Sequence, residues 1–414
     1  MGHLFWEVDI FMKKPKFLIV IVIFIILLFF FKNKKIITGE TIEDKEVIRI
    51  LSEERLDISD LKIPSFVRIL ALGEHTHGSR IDQRIKIEIY KKAIENGFFT
   101  ILAETDYASG KMVDDYIKSK NSYSSKYVVS HLICPSYRSK DFIEFLDFLK
   151  EYNLQNNNVI TFIGYDIQNY EANLMYCIDK LLDIDVYTKE KIKLLSSKEE
   201  YTDLLNELKI ILSSEDENLE SKYLLKNIIN GIKYTEVTNE DESFYYREKY
   251  NYENIKDLSI NRKVFLIAHN GHVIKDNFLH GEIPSTGKLL SEEFNKEYYT
   301  ILPFAYEDNI KIRKIINTHI WYFVNLRVIN NNNFLLFNNS KLPFNTSLYV
   351  FNEIDSSSVF SKERDYFCIG DGYNYNSQIK NFYYEGNITN ATDALIIINR
   401  EERIKKIFNY TSRY

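Results

Sequence analysis

The chain is poor in the residues that build covalent scaffolds. Cysteine occurs three times in 414 residues, as Cys134, Cys177 and Cys368. Three thiols cannot form a disulfide framework, and no CxxC or Cys/His spacing marks a zinc site. Proline numbers only 6 and glycine 14, which excludes collagen-like and Gly/Pro-rich low-complexity classes. No surplus of positive charge exists either: 53 Lys and Arg face 59 Asp and Glu, a formal net charge of −6. A nucleic-acid binder normally carries a basic stripe, so nucleic acid is not expected as a partner. The chain has no internal repeat and no GxSxG, the elbow that presents a serine nucleophile. What remains, 45% apolar and 27% charged, is the balance of a globular chain long enough for a sizeable core.

Long apolar runs are also scarce, with one exception. Residues 17–31 read FLIVIVIFIILLFFF, fifteen apolar residues flanked by Lys13, Lys14, Lys16, Lys32, Lys34 and Lys35. As a helix the run spans about 22 Å, short of a bilayer core of about 30 Å; snorkelling lysines make up part of the gap. No small-x-small cleavage site follows it. Residues 1–35 are therefore expected to be a tail and membrane-anchoring transmembrane helix. Residues 36–414 are expected as the catalytic domain, on the extracytoplasmic side.

Beyond a charged tether at 36–62, short β-rich apolar runs alternate with amphipathic stretches. Strands are expected at 66–73, 98–104, 159–166, 263–269, 298–306 and 393–399. Helices are expected at 79–96, ended by Gly97, and at 107–119, 139–152, 169–183 and 285–296. Residues 187–260 are charged, with apolar residues at helical spacing, and read as an inserted all-helical lobe. This alternation implies a three-layer α/β fold around a mostly parallel sheet. NNNN at 330–333 reads as a turn, and 393–399 as a strand returning to the main sheet.

Ligands of an open α/β sheet sit beyond the carboxyl ends of its strands. After the first strand comes GEHTHG (73–78), with Glu74, His75 and His77. Glu104 ends the second strand and Asp166 the third, and His269 and His272 follow the fourth. Four of the chain's eight histidines thus lie in two strand-end turns. Adjacent turn residues rarely face one site, so His77 is preferred over His75. Gly73, Gly78 and Gly271 read as turn glycines of positive φ. Two chemistries fit. In one, a histidine held by a carboxylate takes a proton from water, which attacks an ester or amide carbonyl, while a second histidine or a cation meets the oxyanion. In the other, a divalent metal activates the water, although HxxH in a turn is not the helical HExxH spacing.

LGEHTHGSR (72–80), AETDY (103–107), FIGYDIQ (162–168), AHNGH (268–272) and DALIIIN (393–399), in this order and spacing, resemble the erythromycin esterase family. The resemblance covers roughly residues 40–414. It implies an α/β hydrolase with a helical lobe, cleaving a small-molecule ester such as a macrolide lactone without a cofactor. It implies His77 as general base, Glu74 and Glu104 as orienting carboxylates, and His269 and His272 completing the catalytic set. Asp166 is expected to bind substrate. The family's pattern has an arginine in the first helix; twelve residues past Glu74 stands Lys86, with Arg84 nearby. Lysine lacks arginine's planar fork, so Lys86 departs from the pattern as a substrate-binding residue. His75 stands where a small residue is usual, and the membrane anchor departs from the family's cytoplasmic resistance enzymes. Distant relatives use metal ions or bind haem. Two alternatives therefore remain: a divalent-metal-dependent hydrolase of an envelope substrate, and a non-catalytic surface protein binding haem or another ligand.

Overall fold

A computed structural model describes residues 49 and 51–400, except 133–136, 183, 215–218, 280, 282, 316–320, 330–345, 353–359, 371 and 375–381. The apolar run 17–31 and the asparagines 330–333 lie outside the described residues. Among the described residues no helix is long and apolar enough to cross a membrane. The described residues belong to one compact unit, Arg49–Tyr414.

Strands β1 (Ile69–Leu72), β2 (Thr100–Ala103), β3 (Thr161–Gly164) and β4 (Val264–Ile267) form one half of the main sheet, with β3 at its edge. With β5 (Tyr298–Ile315), β6 (Trp321–Ile329) and β7 (Thr346–Val350) they are joined by β9 (Gly372–Asn374) and β11 (Ala394–Arg400). The order is β3-β2-β4-β1-β5-β11-β7, with β6 and β9 both pairing along β5. Pairs among β1 to β5, and β5 with β11, are parallel, whereas β7 and β6 run antiparallel to their neighbours. A separate two-stranded antiparallel sheet pairs β8 (Arg364–Phe367) with β10 (Tyr383–Gly386).

The helices alternate with the strands as expected. On one face lie α1 (Arg80–Glu95), α2 (Tyr107–Ile117), α3 (Ser125–His131) and α4 (Lys140–Gln155). Their apolar stripes share a core with Leu70, Leu72, Ile101 and Phe265. Side chains alternate along a strand, so the buried Ala71, Leu102 and Leu266 face the opposite layer. Burial on both faces is why these strands read as unbroken apolar runs. The helices begin where short polar side chains cap them: Ser79 accepts from the Asp82 N–H, Asp106 from Ser109 and Ser139 from Phe142.

After α5 (Tyr170–Tyr176), the inserted region shows helices and no strand among its described residues: α6 (Val186–Ser197), α7 (Tyr201–Ser214), α8 (Leu219–Glu236) and α9 (Glu240–Leu258). The helix expected over 169–183 stops at Tyr176 and widens into a π-turn over Cys177–Leu181. Helices α5 to α8 close on their own apolar cluster, including Leu174, Ile192, Leu208 and Ile228. Helix α9 differs, because its buried residues include Arg247, Glu248, Asn251 and Asn254. After it come the single turn α10 (Asn270–Val273), α11 (Thr286–Phe294), which packs on α9, and α12 (Ile388–Ala391). Strand β5 continues nine residues past the expected end at 306, and helix α3 was not expected.

Candidate active site

Four neighbouring strands, β3, β2, β4 and β1, end side by side. Just beyond them stand Asp166, Glu104, His269 with His272, and Glu74 with His77. The turn after β1 is held by backbone pairing, since the Glu74 N–H donates to the Ala268 carbonyl and the Asn270 N–H to the Glu74 carbonyl. Gly73, Gly78 and Gly271 do not have the positive φ expected of them; among the described glycines Gly97 and Gly281 do. At Gly73 the requirement is space, because a Cβ there would lie 2.0 Å from Asn270 Oδ1.

Glu74 is buried, and one carboxylate oxygen bonds His77 Nδ1. A carboxylate only accepts, so Nδ1 carries the hydrogen, and in the neutral ring Nε2 holds the lone pair. The other oxygen accepts from Lys86 Nζ at 2.6 Å and from Gln83 Nε2 at 3.1 Å. Burial alone would raise the Glu74 pKa. The charge of Lys86, then the His77 ring bonded to the carboxylate, outweighs burial and holds the carboxyl well below the usual range. Lys86 is 1% exposed and lies beneath Glu74, with Nζ 5.1 Å from the Tyr137 ring centre. His75 turns away: its ring nitrogen Nδ1 lies 2.8 Å from buried Asp82.

Glu104 and Asp166 close on a residue that the sequence pattern does not single out. Arg247, from α9, donates through Nη2 to Glu104 at 2.9 Å and also to Asp166; its Nε lies 3.3 Å from Asp166. The second Glu104 oxygen accepts the His269 N–H at 2.9 Å, tying the end of β2 to the end of β4. Burial works against the Glu104 charge, but His272 and then Arg247 hold its pKa well below the usual range.

His272 lies between two carboxylates. Its Nδ1 is 2.6 Å from Glu248 Oε1 and its Nε2 is 3.3 Å from Glu104 Oε1, with Arg247 Nη1 3.1 Å from that same nitrogen. Burial opposes its charge, yet Glu248 and then Glu104 push its pKa up to about 10. His269 moves the other way: burial, then the neighbouring His77 and His272, push it down to about 3. It is therefore neutral at pH 7. Its Nδ1 accepts the Gly271 N–H at 3.4 Å, which leaves Nε2 to carry the hydrogen, 3.4 Å from Cys368 Sγ. The His77 and His269 ring centres are 5.3 Å apart, and those of His269 and His272 are 6.2 Å apart.

The structure thus brings Glu74, His77, Glu104, Asp166, His269 and His272 to one sheet edge and adds Arg247 and Glu248. Lys86 joins them from beneath Glu74. His131 lies away on α3 and is exposed; His280 and His319 lie outside the described residues. Among those residues no group of three or more His, Cys, Asp or Glu is arranged to hold a metal ion. A divalent cation drawn to Glu104 and Asp166 would have to displace the Arg247 guanidinium, which already neutralises both.

An α/β sheet with imidazoles and carboxylates at its strand ends and an inserted helical lobe defines a class of hydrolase-like proteins. The chain belongs to the erythromycin esterase family, whose profile matches residues 94–400. That span holds Glu104, Asp166, Arg247, His269 and His272 and begins after the Glu74–His77 turn. Solved structures agree in fold. A succinoglycan biosynthesis protein superposes with a TM-score of 0.70 at 17% identity, covering 89% of this chain and 99% of that one. A protein from Bacillus cereus gives 0.71 at 20% identity, with 88% and 99% covered. A mutant of the erythromycin esterase EreC in its open conformation gives 0.62 at 15%, with 90% and 97% covered. A comparison with curated protein sequences finds no match.

Proposed function

We propose that the chain is a carboxylic ester hydrolase in which His77 activates water for direct attack on the ester carbonyl. The observation that carries this reading is the Glu74–His77 pair. Nδ1–H is committed to a buried carboxylate, and Nε2 has no hydrogen-bond partner among the described residues. Glu74 acts as the orienting carboxylate of a triad does. Lys86 and Gln83 fix its other oxygen, so it cannot swing away.

Water gives its proton to His77 Nε2 as its oxygen bonds to the carbonyl carbon. The negative charge then forming on the carbonyl oxygen is met by the His272 and Arg247 cations, and neutral His269 offers Nε2–H. The intermediate collapses with cleavage of the C–O bond. The His77 imidazolium returns its proton to the departing alkoxide, leaving acid and alcohol. In this reading Lys86 and Asp166 serve substrate indirectly, through Glu74 and Arg247. Family membership makes a macrolide lactone the first substrate to try. The run at 17–31 supports tethering of residues 36–414 to the outer side of a membrane, which protease digestion of intact cells tests: digestion of the domain supports it, protection overturns it.

The enzymatic test follows erythromycin and a panel of simple esters by mass spectrometry, beside His77→Ala. Gain of one water that requires His77 is expected. No gain with any ester, or gain unaffected by the substitution, overturns the reading.

A further inference from the structure

The site holds two histidines whose carboxylate partners differ in number and surroundings. His77 has Glu74, itself shared with Lys86, whereas His272 has a carboxylate on each side. Glu104 was an expected member of the site; Glu248 was not. We propose that Glu248 is a positioning residue that keeps His272 a fixed imidazolium, so that His272 stabilises the oxyanion and leaves proton transfer to His77. The catalytic half of this proposal rests on the hydrolase reading above; the His272 charge does not.

The geometry of Glu248 suits that task. It is 0% exposed. Its Oε1 accepts from His272 Nδ1 at 2.6 Å, and its Oε2 accepts the Thr286 N–H at 2.7 Å. Thr286 opens α11, whose free N–H groups and dipole favour an ionised carboxylate. The Glu248 carbonyl also accepts from Thr286 Oγ1 at 3.0 Å, so side chain and backbone are pinned to the same residue. The carboxylate therefore cannot rotate away from the imidazole.

Every group packed on His272 enters the balance. Helix α9 supplies Glu248, the opposing charge of Arg247 and the Phe244 ring, whose centre is 6.2 Å from that of His272. The end of β2 supplies Glu104 at 3.3 Å. Its own turn supplies His269, which is neutral. Arg247 is itself covered by Glu104 and Asp166, which reduces its repulsion of the ring. With both ring nitrogens protonated, His272 donates to Glu248 and faces Glu104 at 3.3 Å, and its Nε2–H and the Arg247 guanidinium then share that carboxylate instead of bonding each other. A neutral ring could accept from Arg247 at Nε2, but would forfeit the bond to Glu104. Opposite surroundings pushing like groups to different protonation states is how a site divides acid–base labour.

The test uses the full chain with labelled histidine, the His272 signals being assigned with His272→Gln. In the wild type the ring is expected to stay doubly protonated up to about pH 9. In Glu248→Gln it is expected to titrate at least about one pH unit lower, and in Glu248→Asp near the wild-type value. Hydrolysis of p-nitrophenyl acetate and erythromycin is measured on the same samples. Glu248→Gln is expected to lower kcat about 10²-fold with KM within about twofold, and Glu248→Asp to recover most of it. A neutral wild-type His272 at pH 8, or an unchanged titration in Glu248→Gln, overturns the proposal. So does hydrolysis whose kcat ignores Glu248→Gln, although the hydrolase reading then survives. A charged, Glu248-dependent His272 without hydrolysis of any ester supports the positioning of His272 and defeats the hydrolase reading. If Glu248→Gln does not fold, the wild-type titration and Glu248→Asp still decide.

Discussion

Replacing Arg247 by methionine keeps most of the side chain's length and removes its charge. In the native chain the guanidinium neutralises Glu104 at 2.9 Å and Asp166 beside it, and all three side chains are nearly buried. Breaking a buried ion pair by removing one partner costs about 3–5 kcal/mol; here Asp166 loses its cation, while Glu104 loses one of two and keeps His272. Arg247→Met is expected to lose that much at pH 7, measured by urea unfolding followed by circular dichroism. Acid should narrow the deficit. Glu104 has a lower pKa folded than its unfolded value of about 4.3. Its pairing therefore stabilises the fold fully above that unfolded value, and the contribution is lost as pH falls through the folded one. In the variant Glu104 protonates at a higher pH than in the wild type. The deficit then shrinks once that carboxyl protonates and continues to close on further acidification. Adding Glu104→Gln and Asp166→Asn to Arg247→Met should restore most of the stability, since no charge is then left unpaired. A deficit under about 1 kcal/mol at pH 7, or one that widens in acid, refutes the reasoning.

Lys86→Met removes a cation that holds the Glu74 carboxyl down, so the acid limb of the kcat/KM profile should move to higher pH; an unmoved limb contradicts this. Gly73→Ala would set a Cβ 2.0 Å from Asn270 Oδ1 and 3.0 Å from Leu302 Cδ2. Asn270, which donates to the Pro303 carbonyl at 2.7 Å between His269 and His272, must then shift. Thermal melts should register a loss of about 1–3 kcal/mol together with reduced activity, and a fully stable, active variant contradicts the packing argument. Ester hydrolysis should survive a chelator, because Arg247 and Lys86 already occupy the cation positions beside the carboxylates; stoichiometric metal with loss of activity on chelation contradicts this.

The parts of the site that could be read from the sequence are those fixed locally. Each central strand is buried on both faces, so β1, β2 and β4 stand out as apolar runs, and the residue after each run must lie at the sheet edge. Glu74, Glu104 and His269 follow from that alone, and Asp166 and His272 from the turns after β3 and β4. Arg247 and Glu248 do not. They sit in a helix rich in charge, and hydropathy reads such a face as solvated. They are buried because charges from distant strand ends meet them, a fact of tertiary packing. A faint signal existed: Arg247, Asn251 and Asn254 recur at helical spacing, and Asn251 and Asn254 do bond the chain after β3. Lys86 was more visible, lying between Ile85 and Ile89 on the buried side of α1. The extension of β5 through EDNIKIRKI was hidden because its partners β6 and β9 come later in the chain.

His77 is proposed as the base that activates water. The most direct test is the rate of ester hydrolysis by His77→Ala against the wild type, both verified as folded by circular dichroism and melting temperature. A positioned general base contributes about 10²–10⁴-fold, so the variant should lose at least about 10²-fold in kcat while keeping its fold. A folded His77→Ala protein that hydrolyses the same ester at the wild-type rate would contradict the account.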